Sequence, residues 1–370
     1  MLRFLFILGT RPEIVKLAPV IFACRNRSNI ETTVIHTGQH KELADEMFAH
    51  FGIVPDIDLQ VMEPNQSLSQ LTEKIMHGLS GIVSKDKYDM VFVQGDTTTV
   101  FVGALSAFYQ KIPVAHIEAG LRTSDRYSPF PEEINRRLAG NLATLHFAPT
   151  QRARDNLLRE NIPEASIYVS GNTVIDALEW SLKQPHQLPD DLESFLSSGK
   201  KTILVTTHRR ENFGKPHREV FGAILDLVME FRDIQILLPI HPNPNVREEA
   251  HRLLNNHERV KLISPVSYPD FIQLMKRSYL IMTDSGGIQE EAPSLNIPLL
   301  ILRESTERPE GVESGCLKLV GTDRNKIFST AKNLLEDKNE YENMARAVNP
   351  FGDGKAAERI IEHVLNFLQK

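Results

Sequence analysis

Cysteine is nearly missing from this chain of 370 residues: Cys24 and Cys316 are the two, and neither has a neighbouring thiol at ligand spacing. That usage fits a reducing compartment and excludes a cysteine-rich zinc module. Long apolar runs are missing as well. No stretch approaches ~18 uninterrupted apolar residues, so no membrane span is expected. The apolar start, Leu2 to Leu8, is broken by Arg3 and runs into Gly9-Thr10-Arg11-Pro12-Glu13, too short and wrongly flanked for a signal peptide, so the expected location is cytoplasmic. Charge of one sign does not dominate, with 42 basic against 48 acidic residues and a net charge of −6. No long block of either sign announces a polyanion groove, and nucleic acid is not an expected partner.

Several cofactor signatures are absent too. No G-x-G-x-x-G follows a strand and no G-x-x-x-x-G-K-[ST] occurs, so neither the dinucleotide fingerprint nor the P-loop is present. There is no H-E-x-x-H. His36 and His40 straddle a strand end rather than a helix face, and Asp56-Ile57-Asp58 follows Pro55 in an expected loop. Neither set reads as a metal site; the expectation is an enzyme without NAD and without a metal.

What is present is a rhythm. The runs LRFLFIL, TTVIHT, DMVFVQG, PVAHIEAG, TLHFAPT and SIYVSG read as strands, with amphipathic helical patterns between most of them. The rhythm restarts at KTILVTTHR and continues through IQILLPIHP, RVKLIS, YLIMTDSGG and IPLLILRES. Alternation of this kind builds an α/β protein with parallel sheets covered on both faces. The length exceeds that of a usual single core, so two doubly wound, Rossmann-like domains are expected. The boundaries read as 1–172 and 173–354. The join follows Gly171-Asn172 and includes the Pro185 to Pro189 region, and the amphipathic segment 355–370 is expected to pack back on the first domain. A cleft between domains is the default ligand site.

Ligands of an open parallel sheet gather beyond the carboxyl ends of the strands, and here those ends are polar. After the first strand comes GTRPEIVK, with Pro12 suited to a first helical turn and Arg11 beside a helix N-terminus, where phosphate is stabilised; Lys16 lies about one turn further along. A capped helix with solvated charges is the bland alternative. Asp96 follows DMVFVQG, and Glu118 follows PVAHI ahead of Gly120 and Arg122. Glu132-Glu133 follow Pro129 and Pro131 and sit near Arg136 and Arg137. Each carboxylate alone reads as a helix cap, whereas three converging ones favour acid–base work. In the second half His208 and Arg209 end a strand in HRREN and suit a pyrophosphate clamp, and His241-Pro242-Asn243-Pro244 ends the next. In TDSGGIQEE, Ser285, Gly286 and Gly287 let backbone amides approach phosphate, and a carboxylate on that helix can accept both ribose hydroxyls.

Taken in order, GTRPEIVK, TGQH, QGDTTT, HIEAGLR, SPFPEEINRR, GNTVIDAL, THRRENFG, DSGGIQEEAPSL and TERPEG resemble the non-hydrolysing UDP-N-acetylglucosamine 2-epimerases, whose fold is that of the GT-B glycosyltransferases. The resemblance covers nearly the whole chain. It implies that Asp96, Glu118 and Glu132 are the catalytic carboxylates and His208 an essential histidine near the diphosphate. It implies further that Arg11, Lys16, Ser285, Gly286, Gly287 and Glu291 hold UDP; Arg136 and Arg209 join them as substrate-binding cations. The implied reaction inverts carbon 2 of UDP-N-acetylglucosamine by elimination of UDP and re-addition through a 2-acetamidoglucal. The product is UDP-N-acetylmannosamine, a precursor for surface polysaccharide, and a homodimer is implied. Some members of the family also hold a second, activating UDP-N-acetylglucosamine. Of the residues that build that regulatory site, Gln39, Gln66, Glu132 and His241 match, whereas Glu42 and Asn65 depart. A GT-B glycosyltransferase and a non-catalytic UDP-sugar sensor remain as alternatives.

Overall fold

The computed structural model describes every residue except His40, Lys41, Ser124, Asn256 and Lys370, and every side chain among them except those of Glu42, Leu43 and Arg210. It divides into two compact units, Met1–Trp180 with Phe351–Lys370, and Ser181–Pro350.

The first unit runs β1 (Leu2–Leu8), α1 (Arg11–Arg25), β2 (Ile30–His36), α2 (Glu42–Phe51), β3 (Ile57–Asp58), α3 (Leu68–Val83), β4 (Met90–Gln94) and α4 (Thr98–Tyr109). It continues with β5 (Val114–Ile117), α5 (Glu132–Leu142), β6 (Leu145–Ala148), α6 (Gln151–Arg159), β7 (Ile167–Val169) and α7 (Thr173–Lys183). The strands form one sheet in the order β3-β2-β1-β4-β5-β6-β7, and every pairing is parallel. Strand β4 is buried along its whole length, which is why its sequence is apolar from Met90 to Val93 rather than alternating. Helix starts carry the expected caps: Ser67 and Gln70 form a capping box on α3, and Thr97 and Thr150 accept from the third residue of α4 and α6.

The second unit holds α8 (Asp190–Leu196), β8 (Lys201–Thr206), α9 (Lys215–Glu230), β9 (Ile234–Pro239), α10 (Pro244–Leu254), β10 (Val260–Ile263) and α11 (Tyr268–Lys276). After these come β11 (Leu280–Thr283), α12 (Gly286–Glu291), β12 (Leu299–Ile301), α13 (Pro309–Glu313), β13 (Leu317–Leu319), α14 (Arg324–Glu336) and α15 (Lys338–Ala345). The sheet order is β10-β9-β8-β11-β12-β13, again all parallel. In each unit the strand order reverses direction at one point, between β1 and β4 and between β8 and β11. The loops leaving those strands frame the crevice where such sheets bind ligands.

Three sequence expectations need adjusting. Ile57-Asp58, expected in a loop, is the edge strand β3, and Leu317–Leu319, not anticipated, is β13. Both are too short to show a pattern of their own and take their pairing from β2 and β12. The units part inside α7, after Trp180, rather than at 172, and the Pro185 to Pro189 connection belongs to the second unit. The single tryptophan explains the position. Its ring packs at 5.2 Å from both Phe22 and Phe51 and edge-on to His50, so α7 stays bound to the first unit up to that residue.

The chain returns to the first unit with α16 (Ala356–Leu368), which packs on α1 and buries Ile360, Ile361 and Val364. Lys355 offers this helix no side-chain cap; Asp176 of α7 supplies one, accepting from the N–H groups of Ala356 (3.2 Å) and Ala357 (2.8 Å). No helix among the described residues is long and apolar enough to cross a membrane.

Candidate active site

In the first unit the loops after β1, β4, β5 and β7 carry the polar groups. Glu118 follows β5 directly and lies in the left-handed backbone region, φ 62°, a conformation a bulky residue holds only when its surroundings fix it. Its carboxylate shows what fixes it. Oε1 pairs with Lys16 of α1 and accepts from Asn172 Nδ2 (2.9 Å), and Oε2 accepts from Gln94, the last residue of β4. Asn172 also caps α7, its Oδ1 accepting from Val174 N at 3.1 Å, so helix start and carboxylate are held together. Two residues on, Gly120 stands at φ 90°, and a Cβ there would run into the Ala153 carbonyl of α6.

Asp96 follows β4 through Gly95. It does not cap α4, since Thr97 does; its Oδ2 instead pairs with Arg136 of α5. Burial raises the Asp96 carboxyl above its ordinary range; Arg136 opposes this, and the charges of Glu118 and Glu132 push it further up. That coupling brings the three sequence-predicted carboxylates into one electrostatic neighbourhood. Glu132 opens α5 and is partly exposed, whereas Glu133 is fully buried and committed, accepting from Thr123 N (3.0 Å) and Arg137 Nε (2.8 Å). Arg122 is likewise structural, forked onto Glu160 at 2.8 and 2.7 Å. Arg11 is the first residue of α1, and Lys16, on the same helix, pairs with Glu118.

Glu13 escaped the sequence reading. It is buried and accepts from Gly9 N (2.6 Å) and Thr10 Oγ1 (2.9 Å), and Thr97 bonds it from the β4 side, so it joins the two loops of the strand-order reversal. Gly9 leaves the needed room, because a Cβ there would collide with the Thr37 and Thr99 hydroxyls. Burial raises the Glu13 carboxyl to about 7 against the pull of those hydrogen bonds. The unfolded chain releases this proton near 4.5 and the folded chain only near 7. The stability linked to Glu13 is therefore fully present below pH 4.5 and lost as pH rises through about 7. The loss is on the order of 3 kcal/mol. Glu13→Gln cannot ionise, so between pH 4.5 and about 8 urea unfolding should show the variant gaining stability relative to wild type by that amount. A difference that stays constant over the range would show that this carboxyl titrates normally.

The second unit presents a different chemistry. Ser285 is the N-cap of α12 and makes no side-chain cap bond; Gly286 and Gly287 open the helix. Arg209, after β8, reaches over this start, its Nη2 3.8 Å from where a Gly286 Cβ would stand. Its Nε is buried without a hydrogen-bond partner, a cost that a bound anion would relieve. Glu291 is buried on α12 and accepts from Tyr268 Oη at 2.8 Å, while Glu290 pairs with Arg308 of the TERPEG segment. His208 faces Asp284 through Nδ1 at 3.0 Å and lies beside the His241 ring, centroids 6.1 Å apart.

The residues matched to a regulatory site are divided between the two units. Gln39 accepts from Thr99 Oγ1 (2.9 Å) and Gln66 donates to Val61 O (3.1 Å), both in the first unit. His241 Nδ1, in the second, accepts from Asn243 N at 3.2 Å. Asn65 is exposed at φ 58°. His40 and the side chains of Glu42 and Arg210 lie outside the described residues. His36 Nδ1 stands 3.3 Å from Asp58, and no group of three potential metal ligands occurs among the described residues.

Comparison with known proteins gives a consistent picture. The family model described as UDP-N-acetylglucosamine 2-epimerase matches residues 22–365. The UDP-N-acetylglucosamine 2-epimerase of Escherichia coli K12 is 49% identical over 371 residues, 99% of either chain. That of Bacillus subtilis is 48% identical over 366 residues, 98% of this chain and 95% of the relative. The crystal structure of the Neisseria meningitidis UDP-GlcNAc 2-epimerase bound to UDP-GlcNAc superposes with a TM-score of 0.88 at 45% identity, covering 99% of this chain and 100% of the other.

Proposed function

The chain belongs to the UDP-N-acetylglucosamine 2-epimerase family, and from that premise we propose that it interconverts UDP-N-acetylglucosamine and UDP-N-acetylmannosamine. The observation that carries the reading is the set of three coupled carboxylates, Asp96, Glu118 and Glu132, in a chain that has a separate anion-binding constellation around Arg209 and α12.

The hydrogen on carbon 2 is not acidic, because no carbonyl activates it. Inversion by oxidation would need a hydride acceptor, and the sequence has no dinucleotide fingerprint. Elimination needs less. A base removes the carbon 2 proton as the bond from carbon 1 to the diphosphate oxygen breaks, giving 2-acetamidoglucal and UDP. Re-addition then protonates carbon 2 from the other face while the diphosphate oxygen rebonds to carbon 1. Asp96 is the carboxyl best fitted to exchange that proton, since burial raises it while its ion pair with Arg136 holds it in place. Glu118, with both oxygens engaged, is better fitted to hold charge and position than to shuttle protons. Donors around the diphosphate, Arg209 and His208 with the α12 amides, stabilise charge that grows as UDP departs. Glu291 is assigned to the ribose, and Arg11 to the phosphates.

Incubation with UDP-N-acetylglucosamine alone, followed by NMR of the anomeric proton, tests this directly. In heavy water both substrate and product should gain deuterium at carbon 2. Retention of the original hydrogen through many turnovers would exclude the elimination route. Transfer of the sugar to an added acceptor would favour a glycosyltransferase, and tight binding without turnover a sensor. The reading includes a cytoplasmic location, supported by two free, buried cysteines, and a homodimer, supported by family resemblance.

A further inference from the structure

Asp284 leaves β11 at the strand-order reversal of the second unit and is fully buried. It gathers the loop that follows the neighbouring strand β8. Its Oδ2 accepts from Thr207 Oγ1 (3.0 Å), His208 N (2.9 Å), Arg209 N (2.9 Å) and Asn212 Nδ2 (3.0 Å), while His208 Nδ1 lies 3.0 Å from Oδ1. Burial drives this carboxyl upward, but the His208 side chain and the backbone N–H groups outweigh it and hold it at about 2. An ionised carboxylate only accepts, so the His208 nitrogen facing it must carry its proton.

The same logic fixes the groups behind it. Thr207 must give its hydroxyl hydrogen to Asp284, so at 2.8 Å it accepts from His217 Nε2. His217 Nδ1 then carries no proton, which agrees with its being buried without a hydrogen-bond partner. Along the chain His217, Thr207, Asp284, His208, donation thus converges on Asp284 from both ends.

We propose that Asp284 is the positioning residue for His208: it accepts the hydrogen bond from Nδ1–H, fixes the plane of the ring and leaves Nε2 as the nitrogen offered to substrate. This rests on the reading that His208 serves the leaving diphosphate. A neutral ring so held presents an Nε2 lone pair; a protonated one presents an Nε2–H donor, its positive charge balanced by Asp284. A histidine on the same backbone without that partner would sample both tautomers, and only a fraction would be competent.

Full-length protein labelled with nitrogen-15 in histidine gives the test, the His208 signals being identified by their loss in His208→Gln. Wild type should show His208 protonated at Nδ1 and, when neutral, bare at Nε2. Asp284→Asn should shift the ring toward the Nε2–H tautomer. Its turnover of UDP-N-acetylglucosamine should fall by roughly a hundredfold or more, with UDP affinity within about threefold of wild type. Thr207→Val, which removes a different donor from the same carboxylate, should leave the His208 tautomer unchanged. A bare Nδ1 in wild type overturns the proposal, as does an Asp284→Asn variant that loses UDP affinity and turnover in equal measure, because Asp284 is then a loop support only. If Asp284→Asn does not fold, the wild-type spectrum still decides. A protein with the Nδ1 proton in place but no epimerase activity would keep the positioning role and overturn only the substrate reading.

Discussion

Asp96→Asn should lower turnover by roughly a hundredfold or more while leaving UDP affinity within about threefold. The amide is isosteric and still offers Arg136 an oxygen, so the local fold has no reason to change. It cannot take up or release a proton, and the loss belongs in kcat. Glu118→Gln and Glu132→Gln should fall in the same direction by comparable factors. In Glu118→Gln the cause is electrostatic, because Lys16 loses its counter-charge at a side chain only 7% exposed. Steady-state kinetics with calorimetric UDP binding separates the two quantities. Near-normal turnover in the carboxamide variants would show that these residues shape loops and do no chemistry.

UDP binding should instead respond to Glu291→Ala, with a dissociation constant raised roughly tenfold or more. The expected cause is loss of a charge-assisted acceptor for the ribose hydroxyls. The Tyr268 hydroxyl, which donates to Glu291 at 2.8 Å, loses that contact in the same variant, so Tyr268→Phe is the necessary comparison. If the ribose contact dominates, Tyr268→Phe weakens UDP by much less than Glu291→Ala, and kcat at saturating substrate stays close to wild type in both. An unchanged dissociation constant in Glu291→Ala would remove this residue from the nucleotide site.

The sequence by itself determined the class of fold and the places where chemistry sits. Strands buried on both faces are mostly apolar along their length, so β1, β4, β8 and β11 were legible, and with them the polar residues at their carboxyl ends, Arg11, Asp96, His208 and Ser285. Local chemistry sufficed there, because the pattern and its consequence lie within one segment. The tertiary structure alone decided which side chains these residues meet. Asp284 and His208 are 76 residues apart, Lys16 and Glu118 102, and neither partner could be read from its neighbours. The same holds for Glu13, which its sequence context marks as an ordinary first-turn acid; only burial in the folded chain, against the hydrogen bonds from Thr97, Gly9 and Thr10, moves it to about 7. Short elements follow the rule as well, since β3 and β13 exist because β2 and β12 present open edges. Periodicity records what a segment buries, whereas ionisation, tautomer and strained backbone depend on groups that distant parts of the chain bring into contact.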